Sequence, residues 1–451
     1  ICKVFLLKMG LTEIEKISIM KAASVRKDKR DMGKQWNAVL IAGTEGAMPI
    51  GLAEILGRPM IEYVIQALQK AGVEEICILA PGAEKAYQKA LEGSSKVRIL
   101  SEGGLAIEAQ RMETGADIVV MSADVPLVTA QELEELVLVH QEHGNAATYY
   151  MPKADTMLPV MSREKGFCFC FRAEYLADAL EAVSHYAATD ILTRVISDGG
   201  RVEQRILPNG GVFEIVRNRM QMAEALRCLQ LRINREHMMA GVTIMAPENT
   251  YIAPEVQIGE NTLIYPGTYL EGTTRIGRNC VIGPNSRIVS SEIGDGTEAA
   301  YSTVLESSIG CNTHVGPYAY VRPNSHIGND VKVGDFVEIK NSNIGDGTKM
   351  SHLTYVGDAD VGERINFGCG TVVVNYDGVH KFRTVIEDDV FVGCNTNLVS
   401  PVHVQKGAFI AAGSTITENV PEKALAVARA RQVNKEGWLS PKDRAKQEKG
   451  E

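Results

Sequence analysis

Three stretches carry side chains whose types and positions suit chemistry. The first is "NAVLIAGTEGAMPIGLAEILGRPM", residues 37 to 60, where an apolar strand, Ala38 to Ile41, runs into Ala42-Gly43. Backbone amides at such a strand end can cradle a phosphate. From Gly43 to Gly57, however, there is no Lys or Arg, and Glu45 and Glu54 add negative charge. The second is "SADVPL", which sets Asp124 just after another apolar run. The third is "NYDGVHKFR", Asn375 to Arg383, a cluster of polar and ionisable groups inside an otherwise regular segment.

The elements that must position these residues fall into three segments. Residues 32 to about 215 alternate apolar strands with amphipathic helices: "NAVLIAG", "MIEYVIQALQKAG", "EEICILAPG", "EKAYQKALEG", "VRILS", "IEAQRMETG", "ADIVVMSADVPLV" and "TAQELEELVLVHQEHG". That order predicts a parallel, doubly wound sheet, whose ligands sit at the carboxyl ends of the strands. "AGTEG" and Asp124 both fall there. Residues 216 to 240 read as one helix, with Met222, Leu226, Leu229 and Ile233 on one face. Beyond it Ile252, Ile258, Ile264, Leu270, Ile276, Ile282 and Ile288 recur every six residues. Ile309, Val315, Val321, Ile327, Val333 and Ile339 repeat the pattern, as do Ile386, Val392, Leu398, Val404, Ile410 and Ile416. No α-helix holds a strict six-residue period, because six steps of about 100° turn the face away. Aliphatic residues at that period, followed by Gly, Asn and Asp, predict a parallel β-helix of hexapeptides. "NYDGVHKFR" then breaks the period, as either a plain surface loop or a functional overhang.

Bulk properties narrow the function. The 451 residues exceed one simple core, and a net charge of −9 argues against nucleic acid or an anionic membrane as partner. No apolar run approaches the length of a membrane span. Cys168 and Cys170 in "GFCFCF" alternate with Phe and read as small buried residues of one strand face. Scattered cysteines without paired spacing suggest a reducing, cytoplasmic compartment. Residues 1 to 31 read as an N-terminal extension, with Met32 as the natural start.

In the C-terminal half, "VRP", "VEIKN", "SHLTYVGDADVG", "INFGCGTVVVNYDGVHKF", "DDVFVG", "AAGSTIT" and "NKEGW" occur in order. With the alternating head they resemble the bacterial bifunctional N-acetylglucosamine-1-phosphate uridyltransferase and glucosamine-1-phosphate acetyltransferase family. The resemblance implies a Rossmann-like, nucleotidyltransferase-like α/β head and a left-handed parallel β-helix. It implies His352 as the general base that deprotonates the sugar amine. Arg322 and Lys340 would hold the sugar phosphate, Tyr355 and Asn366 would contact the sugar, and Lys381 would stay near the reacting groups. Asn375 and Tyr376 would bind the acetyl-CoA end, Cys369, Cys394 and Ala412 would line its channel, and Arg429 would reach the CoA phosphates. Asp124 matches the family's metal-binding Asp, for Mg²⁺. A homotrimer with sites between neighbouring solenoids is implied as well. Histidine is the side chain that titrates near neutrality, as a base for an amine must. Arg322 and Lys340 are eighteen residues apart, one coil if each coil has three strands, which would stack the two charges on one face.

The chain departs from the family at several positions. Cys369 and Cys394 stand where the family usually has Ala and Ser, and a thiol is the weaker hydrogen-bond donor. In the head, Ala47 and Glu54 occupy the positions of the family's phosphate-binding Arg and Lys. The base-reading GT-x-HA motif does not appear in "SEGGLAIEAQ". Arg217 aligns with the Asn that shares the metal, and Lys165 falls near the Asn of the family's NTG string. The expectation is a head that keeps its fold without uridyl transfer, over residues 32–215. A linker helix (216–244), an acetyltransferase solenoid (245–421) and a tail contributing to the CoA site (422–451) follow. The alternatives are a fully bifunctional enzyme and a non-catalytic scaffold of the same architecture.

Overall fold

The structure, a computed structural model, describes residues 36–42, 49–94, 96–152, 166–183, 188–207 and 210–449. The readings for residues 1 to 31, Gly43, Ala47 and Lys165 lie outside them. The chain divides into two compact units, residues 1–229 and 230–451. The expected helix is present at Arg219–Met239 and spans that division.

The first unit holds a seven-stranded sheet, in the order Val97–Leu100, Ile76–Leu79, Trp36–Ile41, Asp117–Ser122, Cys168–Arg172, Ala147–Pro152, Val202–Leu207. Its centre is buried on both sides, as the continuous apolar runs predict: Ala38, Val39, Leu40, Ile118, Val119 and Met121 are all inaccessible. Helix Met60–Lys70 lays Ile61, Val64 and Leu68 on one face of the sheet. Helix Ala130–Glu142 joins it there, opened by a Thr129–Glu132 capping box. The sheet is mixed rather than wholly parallel, because Cys168–Arg172 runs antiparallel to both its neighbours. Alternation along a strand fixes which side chains point inward and leaves its direction open, so "GFCFCF" gave no warning. Cys168 and Cys170 are indeed buried.

In the second unit short strands stack into three parallel sheets of eleven, ten and nine strands among the described residues. They form a left-handed parallel β-helix. The first face starts at Thr243–Ile244, the second at Tyr251–Ile252 and the third at Gln257–Ile258. The aliphatic repeat supplies its interior: every one of the repeat positions is buried in a single core except Ile258, which packs against that core. Coil length varies. Leu270 stands over Ile288, Ile276 over Ile293 and Ile288 over Val304, successive offsets of eighteen, seventeen and sixteen residues.

Buried hydroxyls at the turns complete the stacking. Thr313 Oγ1 donates to the Gly328 carbonyl at 2.9 Å and accepts from the Val331 amide at 3.1 Å. Equivalent roles fall to Thr262 and Ser307, while Ser302 accepts from the Ala319 amide of the next coil and donates to the Ala300 carbonyl of its own. Thr313→Val keeps the shape and leaves a buried amide and a carbonyl short of a partner. It should cost about 1–3 kcal/mol, read as a lower urea midpoint of the full chain by far-UV circular dichroism. An unchanged midpoint would show that the hydroxyl ladder is dispensable.

Candidate active site

Register places the expected residues in two groups on the solenoid. On the second face Tyr320 pairs with Glu338 and Glu338 with Tyr355. Arg322 donates its backbone amide to the Ile339 carbonyl, which sets it one coil from Lys340, and Lys340 pairs with Gly357. The two cations are therefore stacked, as their spacing predicts. A side chain on Gly357 would begin 2.4 Å from the Tyr355 hydroxyl and 2.9 Å from Asn375 Nδ2. Glycine is what leaves room for the Tyr355 ring across this face.

Carboxylates hold these cations. Arg322 Nη1 lies 2.8 Å from Glu338 Oε1. Lys340 Nζ lies 3.4 Å from Asp358 Oδ2. Asp358 also accepts from Asn341 Nδ2 at 2.6 Å and from Asn375 Nδ2. Burial works to raise the Asp358 carboxyl, but the two amides and the Lys340 ammonium outweigh it and hold it below the usual carboxylate range. Lys381 lies against Lys340. That contact pushes the Lys381 ammonium down, whereas Lys340, backed by Lys381 and Asp358, is held up.

The second group runs along the edge between the first and second faces. His352 ends the strand Lys349–His352, in register with Asp335 one coil earlier. Asp335 Oδ1 lies 2.5 Å from His352 Nδ1, and the ring is 57 % exposed. The His352 hydrogen bond pulls the Asp335 carboxyl below its usual range. This contact occupies Nδ1 and leaves Nε2 unbonded among the described residues. Continuing the pairing of Met350 with Phe367, Phe367 with Val392 and Val392 with Ile410 sets Cys369, Cys394 and Ala412 in the same column as His352. Arg429 meets that column at its far end, with Cδ 3.8 Å from where a side chain on Gly413 would begin.

The inserted loop is a hairpin. Tyr376 and Lys381 form an antiparallel bridge, and Asp377 Oδ1 accepts from the amides of Val379 and His380. At its base Arg383 grips Asp360 with Nε and Nη2, both at 2.5 Å. Tyr376 is exposed, with its hydroxyl donating to the Gly378 carbonyl. Asn375 commits its amide to Asp358. Asn366 lies apart, on the first face in register with Lys349 and Phe391, so one chain does not bring it beside Tyr355 on the second face. Sequence reasoning missed Asp335, Glu338 and Asp358. Their signal is the coil itself: Asp335 precedes His352 by seventeen residues and Asp358 follows Lys340 by eighteen.

In the first unit Asp124 is 4 % exposed. Burial pushes its carboxyl up to about 6, with Arg217 working in the opposite direction. Among the described residues no three His, Cys, Asp or Glu side chains converge into a metal site. One carboxylate beside a guanidinium is a poor donor set for Mg²⁺, which wants oxygen ligands and no competing cation. Glu54 is exposed on the two-residue strand Glu54–Ile55.

A nucleotidyltransferase-like head and a hexapeptide β-helix carrying a histidine, stacked cations and a lined edge define a two-domain transferase. Residues 46–199 match the MobA-like NTP transferase domain. Residues 255–290 and 306–341 match the bacterial transferase hexapeptide family, and residues 383–418 match the hexapeptide repeat of succinyl-transferase. The bifunctional protein GlmU of Acetivibrio thermocellus is 40% identical over 457 residues, covering 91% of this chain and 99% of that relative. GlmU of Alkaliphilus metalliredigens is 38% identical over 445 residues, covering 90% and 98%. GlmU of Clostridioides difficile is 38% identical over 452 residues, with the same coverage. The chain belongs to the bifunctional GlmU family.

Asp124 carries a pH prediction. Its folded pKa is raised, so the advantage of the neutral carboxyl is present at low pH and lost as pH rises through about 6. Asp124→Asn removes that loss. The variant should stabilise the head at pH 7–8 by up to about 3 kcal/mol, and the gain should vanish near pH 4. Thermal unfolding at both values tests it, and an equal gain at both would remove the carboxylate as the cause.

Proposed function

We propose that the solenoid transfers acetyl from acetyl-CoA to the amine of glucosamine-1-phosphate, giving N-acetylglucosamine-1-phosphate for sugar-nucleotide and cell-wall synthesis in the cytoplasm. The observation that carries this reading is the imidazole of His352, fixed through Nδ1 by Asp335 at the edge beside the face that bears Arg322, Lys340 and Lys381. Nε2 takes a proton from the sugar ammonium, and the free amine attacks the thioester carbonyl. The tetrahedral intermediate loses the second proton of its nitrogen to solvent and expels CoA thiolate, which takes a proton from His352. Arg322, Lys340 and Lys381 hold the phosphate, and its two negative charges let Lys381 keep its proton beside Lys340. Tyr355 packs on the sugar. Asn375 and Tyr376 meet the acetyl end, Cys369, Cys394 and Ala412 line the thioester's path, and Arg429 reaches the CoA phosphates.

Asn366 belongs to this site only if a second copy supplies the opposite wall, so a homotrimer with sites between solenoids is part of the proposal. For the head, residues 32–215, we propose a retained fold without uridyl transfer. The supporting observation is Arg217 beside Asp124 where a metal's charge would sit. The bifunctional names of the relatives favour the second reading, in which the head still uses UTP and Mg²⁺.

His352→Ala should lower acetyl-CoA-dependent CoA release with glucosamine-1-phosphate by roughly 10²–10⁴-fold, and full activity would overturn the mechanism. Lys340→Met should mainly raise KM for the sugar phosphate. Pyrophosphate release from UTP and N-acetylglucosamine-1-phosphate separates the two readings of the head: none is expected, and turnover at the rate of acetyl transfer establishes the bifunctional enzyme.

A further inference from the structure

We propose that Cys369 and Cys394 form a dithiol site that reacts with low-molecular-weight disulfides, closing a disulfide between two neighbouring coils. Phe367 and Val392 are paired in register. The Gly368 amide donates to the Val392 carbonyl at 2.7 Å, and the Asn395 amide to the Cys369 carbonyl at 2.8 Å. Those two backbone bonds bracket the cysteines and hold one over the other. Neighbouring strands are about 4.8 Å apart, within the roughly 4.4–6.8 Å between Cα atoms that a disulfide spans. A side chain on Gly368 would begin 2.4 Å from the Cys394 amide nitrogen, so this glycine permits the close approach that fixes the pair.

Among the described residues, accessibility separates these two thiols from the four buried ones, while Cys228 and Cys311 are partly accessible as well. Both of the pair are free, Cys394 exposed and Cys369 partly so. Cys77, Cys168, Cys170 and Cys280 are buried, and burial pushes their thiols up, that of Cys77 to about 12. Thiolates attack and thiols do not, so those four are inert.

The reaction balances without a further oxidant. The Cys394 thiolate attacks one sulfur of R–S–S–R, forming a mixed disulfide and releasing one RS⁻, which takes up a proton. The Cys369 thiolate then attacks the Cys394 sulfur and expels the second RS⁻. Two protein thiols and one small disulfide give one protein disulfide and two RSH. Resting on the acetyl-transfer reading, the disulfide of CoA is the preferred reagent, because the channel that receives acetyl-CoA delivers it to Cys394. The closed bridge then stands in the column between His352 and Ala412 and obstructs that channel.

The full chain is incubated with CoA disulfide and, separately, with hydroxyethyl disulfide, then alkylated and mapped by mass spectrometry. The expected result is a cross-linked peptide holding Cys369 and Cys394, reversed by dithiothreitol. It should form on the order of tenfold faster with CoA disulfide because binding raises the local concentration. Cys369→Ala should stop at a stable mixed disulfide on Cys394, carrying one R group. Separate adducts on both cysteines of the folded protein, or no reaction with either reagent, would overturn the dithiol. Equal rates with the two reagents keep the dithiol and remove CoA from it, and absence of acetyl transfer with the cross-link intact sinks only the underlying reading.

Discussion

Everything on the solenoid depends on one constraint, the register in which each coil stacks on the last. Inward aliphatic residues pair only with inward aliphatic residues, so a slip of one residue would turn a whole ladder toward solvent. The buried Thr and Ser hydroxyls tie the same coils through hydrogen bonds that have one geometry. Outward side chains inherit this order without any contact of their own. Asp335 therefore stands by His352, and Arg322 by Lys340, because Val333 and Met350 share the first face's interior ladder and Val321 and Ile339 share the second's.

One coil breaks the rule and gains the hairpin. Between Phe367 and Val392 the offset grows to twenty-five residues, and the excess chain leaves the stack as Asn375 to Arg383. Two carboxylates keep it from swinging free: Asp360 takes the Arg383 guanidinium, and Asp358 takes Asn375. Because Asp358 also holds Lys340, the loop and that cation share a single anchor. Loss of that carboxylate would loosen the hairpin and leave two lysines in mutual repulsion.

The repeat was legible because six-residue aliphatic spacing has only one structural solution, and the stacking of Arg322 over Lys340 followed by counting. Counting failed where coil length changes. His352 could not be assigned a face across the slip between Ile339 and Ile344, and with it went Asp335, its partner through a seventeen-residue coil. Asp358 escaped notice for another reason: its role is to satisfy Lys340 and Asn375, and nothing in a lone Asp within "YVGDADVG" signals three converging donors. In the head, alternation identified the buried cysteines yet could not show that their strand runs antiparallel. The helix expected from 216 to 240 was found nearly whole, since its apolar spacing leaves no competing period.

Charge distinguishes the two halves. In the head, burial pushes the Asp124 carboxyl up and the exposed Arg217 offsets that only in part. On the solenoid three cations, Arg322, Lys340 and Lys381, meet two carboxylates, Glu338 and Asp358. The surplus is felt by Lys381, whose ammonium is pushed down by its neighbour. A site in that condition favours an anion with more than one charge, because binding it relieves the repulsion as well as adding attraction. The proposed sugar phosphate supplies such a group, set beside an edge where a histidine has one nitrogen held and the other open.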